Sequence, residues 1–156
     1  MSSTIKTALV GYGLGGKCFH APFIACNPNY ELVSVVERHR NESTERYPHV
    51  KVERSIEAVL QDPYIDLVVV TTPNDTHYPY GKMALEAGKH VVLDKPMTVT
   101  SEQGEELIEL AKKMNKVLCP YQNRRFASDA RTIKKVLDRN ILGELVTFEA
   151  TYRALS

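Results

Sequence analysis

Six short runs of apolar residues recur along the chain, most of them apolar at successive positions, with VKVE the weakest. They are Thr7–Gly11 (TALVG), Glu31–Glu37 (ELVSVVE), Val50–Glu53 (VKVE), Asp66–Thr72 (DLVVVTT), Lys89–Asp94 (KHVVLD) and Lys116–Pro120 (KVLCP). Runs apolar on both faces are what parallel strands covered by helices look like. Between them the spacing becomes helical. Ile56, Val59 and Leu60 follow Ser55, a favourable N-cap. Tyr80, Met83, Ala84 and Ala87 share one helical face before Gly88, which suits a left-handed C-terminal position. Leu107, Ile108, Ala111 and Met114 do the same behind Thr100 and Gln103, whose separation is that of a capping box. The alternation predicts an α/β fold built on a doubly wound parallel sheet.

The rhythm changes near the C-terminus. Ala130, Ile133, Leu137 and Ile141 mark a helix ending at Gly143. After it, Val146, Phe148, Ala150 and Tyr152 alternate with Thr147, Glu149, Thr151 and Arg153. A period of two predicts a half-exposed strand of an antiparallel sheet. Such a strand does not belong to the first sheet. It reads as the first strand of a second, substrate-binding α+β domain whose remainder is absent, which divides the chain at 1–122 and 123–156. An unpaired edge there invites pairing between copies, so self-association is expected.

Composition narrows the class of protein without choosing a function. With 156 residues, 43% hydrophobic and 25% charged, the chain can bury one sizeable core. A net charge of +1 asks for neither nucleic acid nor an anionic membrane, and the basic runs NRR and RHR are short. No apolar run approaches a membrane-spanning length, and no charged-then-apolar leader is expected. Three cysteines without a CxxC pair predict buried or half-buried free thiols and a reducing, cytoplasmic setting. No metal site is expected, since no histidine has ligand spacing with a cysteine or a second histidine.

Candidate chemistry enters at the end of the first strand. Gly11, Gly13 and Gly16 form GxGxxG between a strand and a helix-compatible segment, and Glu37 ends the second strand. In that context the motif is a Rossmann dinucleotide fingerprint. Gly11 permits the tight turn, Gly13 lets the backbone approach a pyrophosphate, and Gly16 lets helix and strand pack closely. The pyrophosphate would rest on N–H groups at the helix start. Glu37 is expected to accept hydrogen bonds from the adenosine ribose, which favours NAD. Arg38 and Arg40 beside it leave NADP open, because an arginine there can pair with a 2′-phosphate.

With the glycine loop, VVVTTPNDTHYPYGKMALEAGKHVVLDKP and PYQNRRF, the sequence resembles the Gfo/Idh/MocA oxidoreductases, closest to the inositol-dehydrogenase-like branch. The resemblance implies that Gly11, Gly13, Leu14 and Gly16 cradle the pyrophosphate. It implies that Thr72, Pro73, Asn74 and His77 line the ribose and adenine side, with local hydrogen bonding at a helix start as the other reading of His77. Lys95 and Pro96 match a family E-K-P element whose lysine sits beside the nicotinamide and the substrate hydroxyl. Asn123 and Arg125 match positions near nicotinamide and substrate. Asp94 stands where the family usually has glutamate, and a carboxylate one methylene shorter does not reach the same partner without a shift. The family's main proton-transferring histidine comes from the second domain, and nothing in this sequence supplies it.

Lys95 also has a reason of its own, since it lies just past the carboxyl end of a parallel strand, where ligands bind in open α/β sheets. The implied activity is hydride transfer between a nicotinamide and a hydroxyl carbon of a polyol, sugar or cyclitol, with this chain as the cofactor-binding half, inactive alone. The competing reading is a dinucleotide-binding sensor without catalysis, because fold does not fix function.

Overall fold

The first strand in sequence is the central strand in space. In the computed structural model, which describes residues 4–151, β1 (Ile5–Val10) pairs in parallel with β2 (Tyr30–Val36) on one side and β4 (Leu67–Val70) on the other. With β3 (Lys51–Glu53), β5 (His90–Leu93) and β6 (Leu118–Pro120), the sheet has six strands in the order β3-β2-β1-β4-β5-β6. Every ladder is parallel. The chain winds outward from β1 to β3, then returns to build the other half from β4. The loops leaving β1 and β4 therefore part at the sheet's carboxyl edge, the switch point where open α/β sheets bind ligands.

Two apolar layers explain why the strands read as unbroken runs. Ala8, Val10, Val68, Val70, Val91 and Leu93 point to one face, where Ile56, Val59, Ala84, Leu85 and Leu107 cover them. Leu9, Leu32, Val35 and Val69 point to the other, against Ala21, Ile24 and Tyr47. The covering elements are α1 (Ala21–Cys26), α2 (Glu42–Arg46), α3 (Ile56–Gln61), α4 (His77–Glu86) and α5 (Ser101–Lys113). A wider, π-type helical segment, Gly15–His20, leads directly into α1. Thr100 Oγ1 accepts from Gln103 N at 3.4 Å while the Gln103 amide returns to Val99 N at 3.3 Å, a capping box displaced by one residue.

The structure departs from the sequence pattern in several places, and the helix expected to end at Gly143 stops at Asp138. Ser55 makes no side-chain cap to α3. The polar helix α2 (ESTER) has no apolar period to announce it. Cys18, Cys26 and Cys119 are free but exposed, not buried, because Cys18 and Cys26 fall on the outer face of their helical segment and Cys119 on edge strand β6. Residues 144–151 form no strand and are exposed, since a period of two gives a strand only when a neighbour completes its hydrogen bonds. Tyr152 and Arg153 lie outside the described residues.

The chain falls into two compact units, one through Tyr121 and the other from Gln122 onward. The second consists of a 3-10 turn, Asn123–Phe126, then α6 (Ser128–Asp138) and the extended segment after it. No residue of α6 is buried, and Arg124–Asp129 and Lys134–Asp138 ion pairs lie along its surface.

Candidate dinucleotide site

A cleft of about 770 Å³ opens at the switch point. Its floor is the glycine loop after β1; its walls are the loop after β2, the start of α3 and the loop after β4. The volume lies within the range of small-molecule sites.

Each glycine of the loop answers a different steric demand. Gly11 has φ +99°, a left-handed conformation, and a Cβ there would crowd Thr72 Cγ2 at 3.1 Å. At Gly16 a Cβ would lie 2.4 Å from the Gly11 carbonyl oxygen, so only hydrogen lets the helix approach the strand this closely. Gly13 is the opposite case: it lines the cleft, and a Cβ there would meet nothing within 4 Å. Internal packing thus explains Gly11 and Gly16 and leaves Gly13 unexplained, unless something outside the protein needs the space. A dinucleotide pyrophosphate fits that demand, and Leu14, 74% exposed and without a side-chain cap, leaves the helix start open beside it.

Thr71, which the sequence reading left unassigned, ties the two loops together. Its hydroxyl donates to the Gly11 carbonyl at 2.8 Å, fixing the end of β4 against the glycine turn. Thr72 and Pro73 line the cleft with Asp75, Thr76 and Tyr80, whereas Asn74 is exposed and is not part of the wall. Thr72 Oγ1 accepts from Thr76 Oγ1 at 2.6 Å, which closes the turn into α4.

His77 lies beneath this loop, not on the cleft. It is 1% exposed, with Nδ1 2.7 Å from the Pro96 carbonyl and Nε2 2.8 Å from the Thr72 carbonyl. Both ring nitrogens lie against carbonyls of neighbouring loops, to one of which the ring's N–H donates, and His77 does not line the cleft.

Glu37 also differs from expectation. The carboxylate is turned toward α2: Oε2 accepts from Glu42 N at 2.9 Å, and Oε1 from Ser43 N at 2.9 Å and Ser43 Oγ at 2.5 Å. The residue is 6% exposed. Asn41, the N-cap of α2, makes no side-chain cap, and Glu37 meets those free N–H groups in its place. Arg38 and Arg40 are exposed and line the cleft mouth with His39.

At the end of β5, Lys95 is exposed, and among the described residues its ammonium has no ion-pair partner. Its backbone N–H donates to Asp94 Oδ1 at 2.7 Å, and the Lys95–Pro96 peptide is cis. Asp94 Oδ2 faces back toward the glycine loop. A Cβ on Gly15 would come within 2.9 Å of it, and His20 Nε2 lies 3.6 Å away. His20 is buried against Tyr121, with ring centroids 4.1 Å apart and the planes tilted by 45°, and its Nε2 has no hydrogen-bond partner within normal distance. Burial pushes its imidazole below the ordinary value, and Asp94 pulls the other way. The shorter Asp94 side chain thus bears on the glycine-loop helix, and His20, which no motif singled out, lies beside it. Asn123 and Arg125 belong to the second unit, where the Arg125 guanidinium lies 5.9 Å over the Phe126 ring.

A family model for Gfo/Idh/MocA proteins, described as an oxidoreductase family with an NAD-binding Rossmann fold, matches residues 5–122. The chain belongs to the Gfo/Idh/MocA family. Within it, the chain is 46% identical over 152 residues to the oxidoreductase YdgJ of Escherichia coli K12, covering 97% of this chain and 44% of that one. It is 38% identical over 149 residues to the scyllo-inositol 2-dehydrogenase (NADP(+)) IolW of Bacillus subtilis 168, covering 96% and 42%. The crystal structure of a Bacteroides fragilis protein superposes with a TM-score of 0.84 at 52% identity, covering 93% of this chain and 45% of that one. The chain therefore spans less than half the length of these Gfo/Idh/MocA relatives, and its residues 5–122 are the part that matches the family's NAD-binding Rossmann domain. No helix among the described residues is long and apolar enough to cross a membrane.

Proposed function

We propose that this chain holds the nicotinamide dinucleotide of a dehydrogenase that moves a hydride between the cofactor and a hydroxyl carbon of a polyol, sugar or cyclitol. The observation that carries the reading is Gly13, whose missing side chain faces open space in a cleft bounded by the first and fourth strand ends. Membership of an oxidoreductase family supports hydride chemistry, and the inositol activity named for the Bacillus relative supports the substrate class. When bound, the nicotinamide supplies the hydride donor or acceptor.

Each part of the chain has a share in this. Gly11, Gly13, Leu14 and Gly16 shape the pyrophosphate cradle, and Thr72 and Pro73 bound its ribose side. Lys95 is the group that would hold the reacting hydroxyl: an exposed ammonium past a strand's carboxyl end, with no ion-pair partner among the described residues. Asn123 and Arg125 would join the nicotinamide and substrate end. The acid–base group that takes the hydroxyl proton is not among these residues, so the chain alone binds cofactor without turnover.

Titrating the chain with NAD(H) and NADP(H), alongside assays on a polyol panel, tests the reading. Saturable binding without turnover is the expected result. Polyol oxidation by the 156-residue chain would contradict the division of labour, and binding of neither cofactor would contradict the site itself.

A further inference from the structure

Resting on the dinucleotide reading of the cleft, we propose that its adenosine end is built for a 2′-phosphate, so that NADP(H) is the cofactor and Arg38 and Arg40 select it. NAD selection depends on a carboxylate at the end of the second strand, free to accept from the ribose hydroxyls. Here that carboxylate is Glu37, and it is not free. Three donors from Glu42 and Ser43 occupy its two oxygens, and the side chain is 6% exposed. Turning it toward a ribose would strip α2 of the only side-chain acceptor at its first turn among the described residues, since Asn41 does not cap it.

The loop carrying the arginines is fixed by another residue. Arg54 Nη1 donates to the Glu37 carbonyl at 2.7 Å and the Arg40 carbonyl at 2.6 Å, and its Nη2 donates to Asn41 Oδ1 at 2.6 Å. This guanidinium is spent on two carbonyls and the Asn41 side chain, and it holds residues 37–41 around the cleft mouth. Arg38 and Arg40, exposed on the cleft, are less committed than Arg54. Arg38 makes one long bond, to Tyr80 OH at 3.4 Å. Arg40 pairs with Glu42 Oε1 at 2.6 Å, with its own side chain 76% exposed. Such an exposed pair contributes little and opens readily. When it opens, Glu42 keeps Lys17 as its partner.

The other carboxylates on the cleft do not restore an NAD site. Glu42 is held by Lys17 and Arg40, Glu57 is hydrogen-bonded to its own backbone and to Ser55, and Asp75 lies in the loop after β4, not after β2. What remains at the end of β2 is two guanidinium groups, the natural recognition group for a phosphate monoester.

The test is separate fluorescence titrations of the chain with NADPH and NADH in the same moderate-salt buffer, repeated on Arg38→Ala and Arg40→Ala. NADPH is expected to bind more tightly by on the order of tenfold or more. Each substitution is expected to erase most of that preference while leaving NADH affinity and the circular dichroism spectrum unchanged. Equal or tighter binding of NADH would overturn the inference, as would a loss of affinity in the variants shared equally by both cofactors. Binding of neither cofactor to the wild-type chain would instead overturn the dinucleotide reading beneath it. Glu37→Gln adds an independent readout: a less stable protein with no gain of NADPH preference is expected. A stable variant whose NADH affinity drops would mark Glu37 as a ribose ligand and refute the assignment.

Discussion

His20 and Asp94 face each other across the glycine-loop helix and the strand-end loop that bears Lys95, with Nε2 3.6 Å from Oδ2. Burial holds His20 below its ordinary value of 6.5, so the folded protein prefers the neutral ring. Where the folded value is the lower one, the unfolded chain takes up the proton first as pH falls. His20 therefore has no cost above about pH 6.5, and stability is lost as pH drops below it toward the folded value. Urea unfolding at pH 7.5 and 5.5 should show a shallower pH dependence in His20→Phe than in the wild type. An identical slope in both would remove His20 as a source of acid sensitivity.

The three motif glycines should separate experimentally. Gly16→Ala drives a methyl into the Gly11 carbonyl and is expected to cost about 1–3 kcal/mol or to prevent folding. Gly11→Ala adds strain from a left-handed backbone, about 1–2 kcal/mol. Gly13→Ala should leave the melting temperature nearly unchanged and weaken dinucleotide binding. If Gly13→Ala binds cofactor as well as wild type, the open space above that residue is not where a ligand lies.

His77→Ala should destabilise the protein by about 1–3 kcal/mol, because a buried ring is lost together with the hydrogen bond its single N–H gives to the Thr72 or the Pro96 carbonyl. Calorimetry or urea unfolding reads the loss directly. The strand-end loops should become more open to hydrogen exchange as well, since this ring joins the loop after β4 to the one after β5.

Lys89 offers a test away from the cleft. Its ammonium, 6% exposed as a residue, donates to the Asp62 carbonyl at 2.6 Å and the Ile65 carbonyl at 2.8 Å. Lys89→Met keeps most of the aliphatic stem and strands both acceptors. A loss of about 1–3 kcal/mol with unchanged cofactor binding is expected.

Lys95→Met should behave in the reverse way. An exposed side chain without an ion-pair partner among the described residues has little effect on folding, so the unfolding curve should overlay that of the wild type. In any longer form of the protein that oxidises a polyol, the same change should lower turnover by about 10²–10⁴. A variant of that form with full activity would show that the hydroxyl is held by another group.

Much of this was legible in the sequence, and the reasons are local. Leu9 and Val69 face one layer while Ala8, Val10, Val68 and Val70 face the other, so the strands had to read as continuous apolar runs. Glycine spacing reports backbone geometry directly, and Gly11 and Gly16 stand where steric demand leaves no alternative. Side-chain direction is another matter. Nothing in VVERHR says that Glu37 turns toward α2, because α2 is a polar helix with no period of its own. His20 and Thr71 were invisible for a related reason: each acts through a partner distant in sequence, Asp94 and Gly11. The alternation from Val146 to Ala150 records a capacity for strand formation, which a chain expresses only when a neighbour supplies the other half of the ladder.

The strand order also has a consequence for how the chain acquires its fold. β1 meets β2 through Ile5 and Tyr30, but it meets β4 only through pairs such as Thr7 with Leu67, some 60 residues downstream. During synthesis the middle of the sheet is made first and has one bare side until the fourth strand arrives. Folding should therefore be gated by a distant closure, slower than in helical bundles of this size. The first half of the chain, released early, would present Leu9 and Val10 along an unpaired edge, the form in which this sequence is most exposed to aggregation.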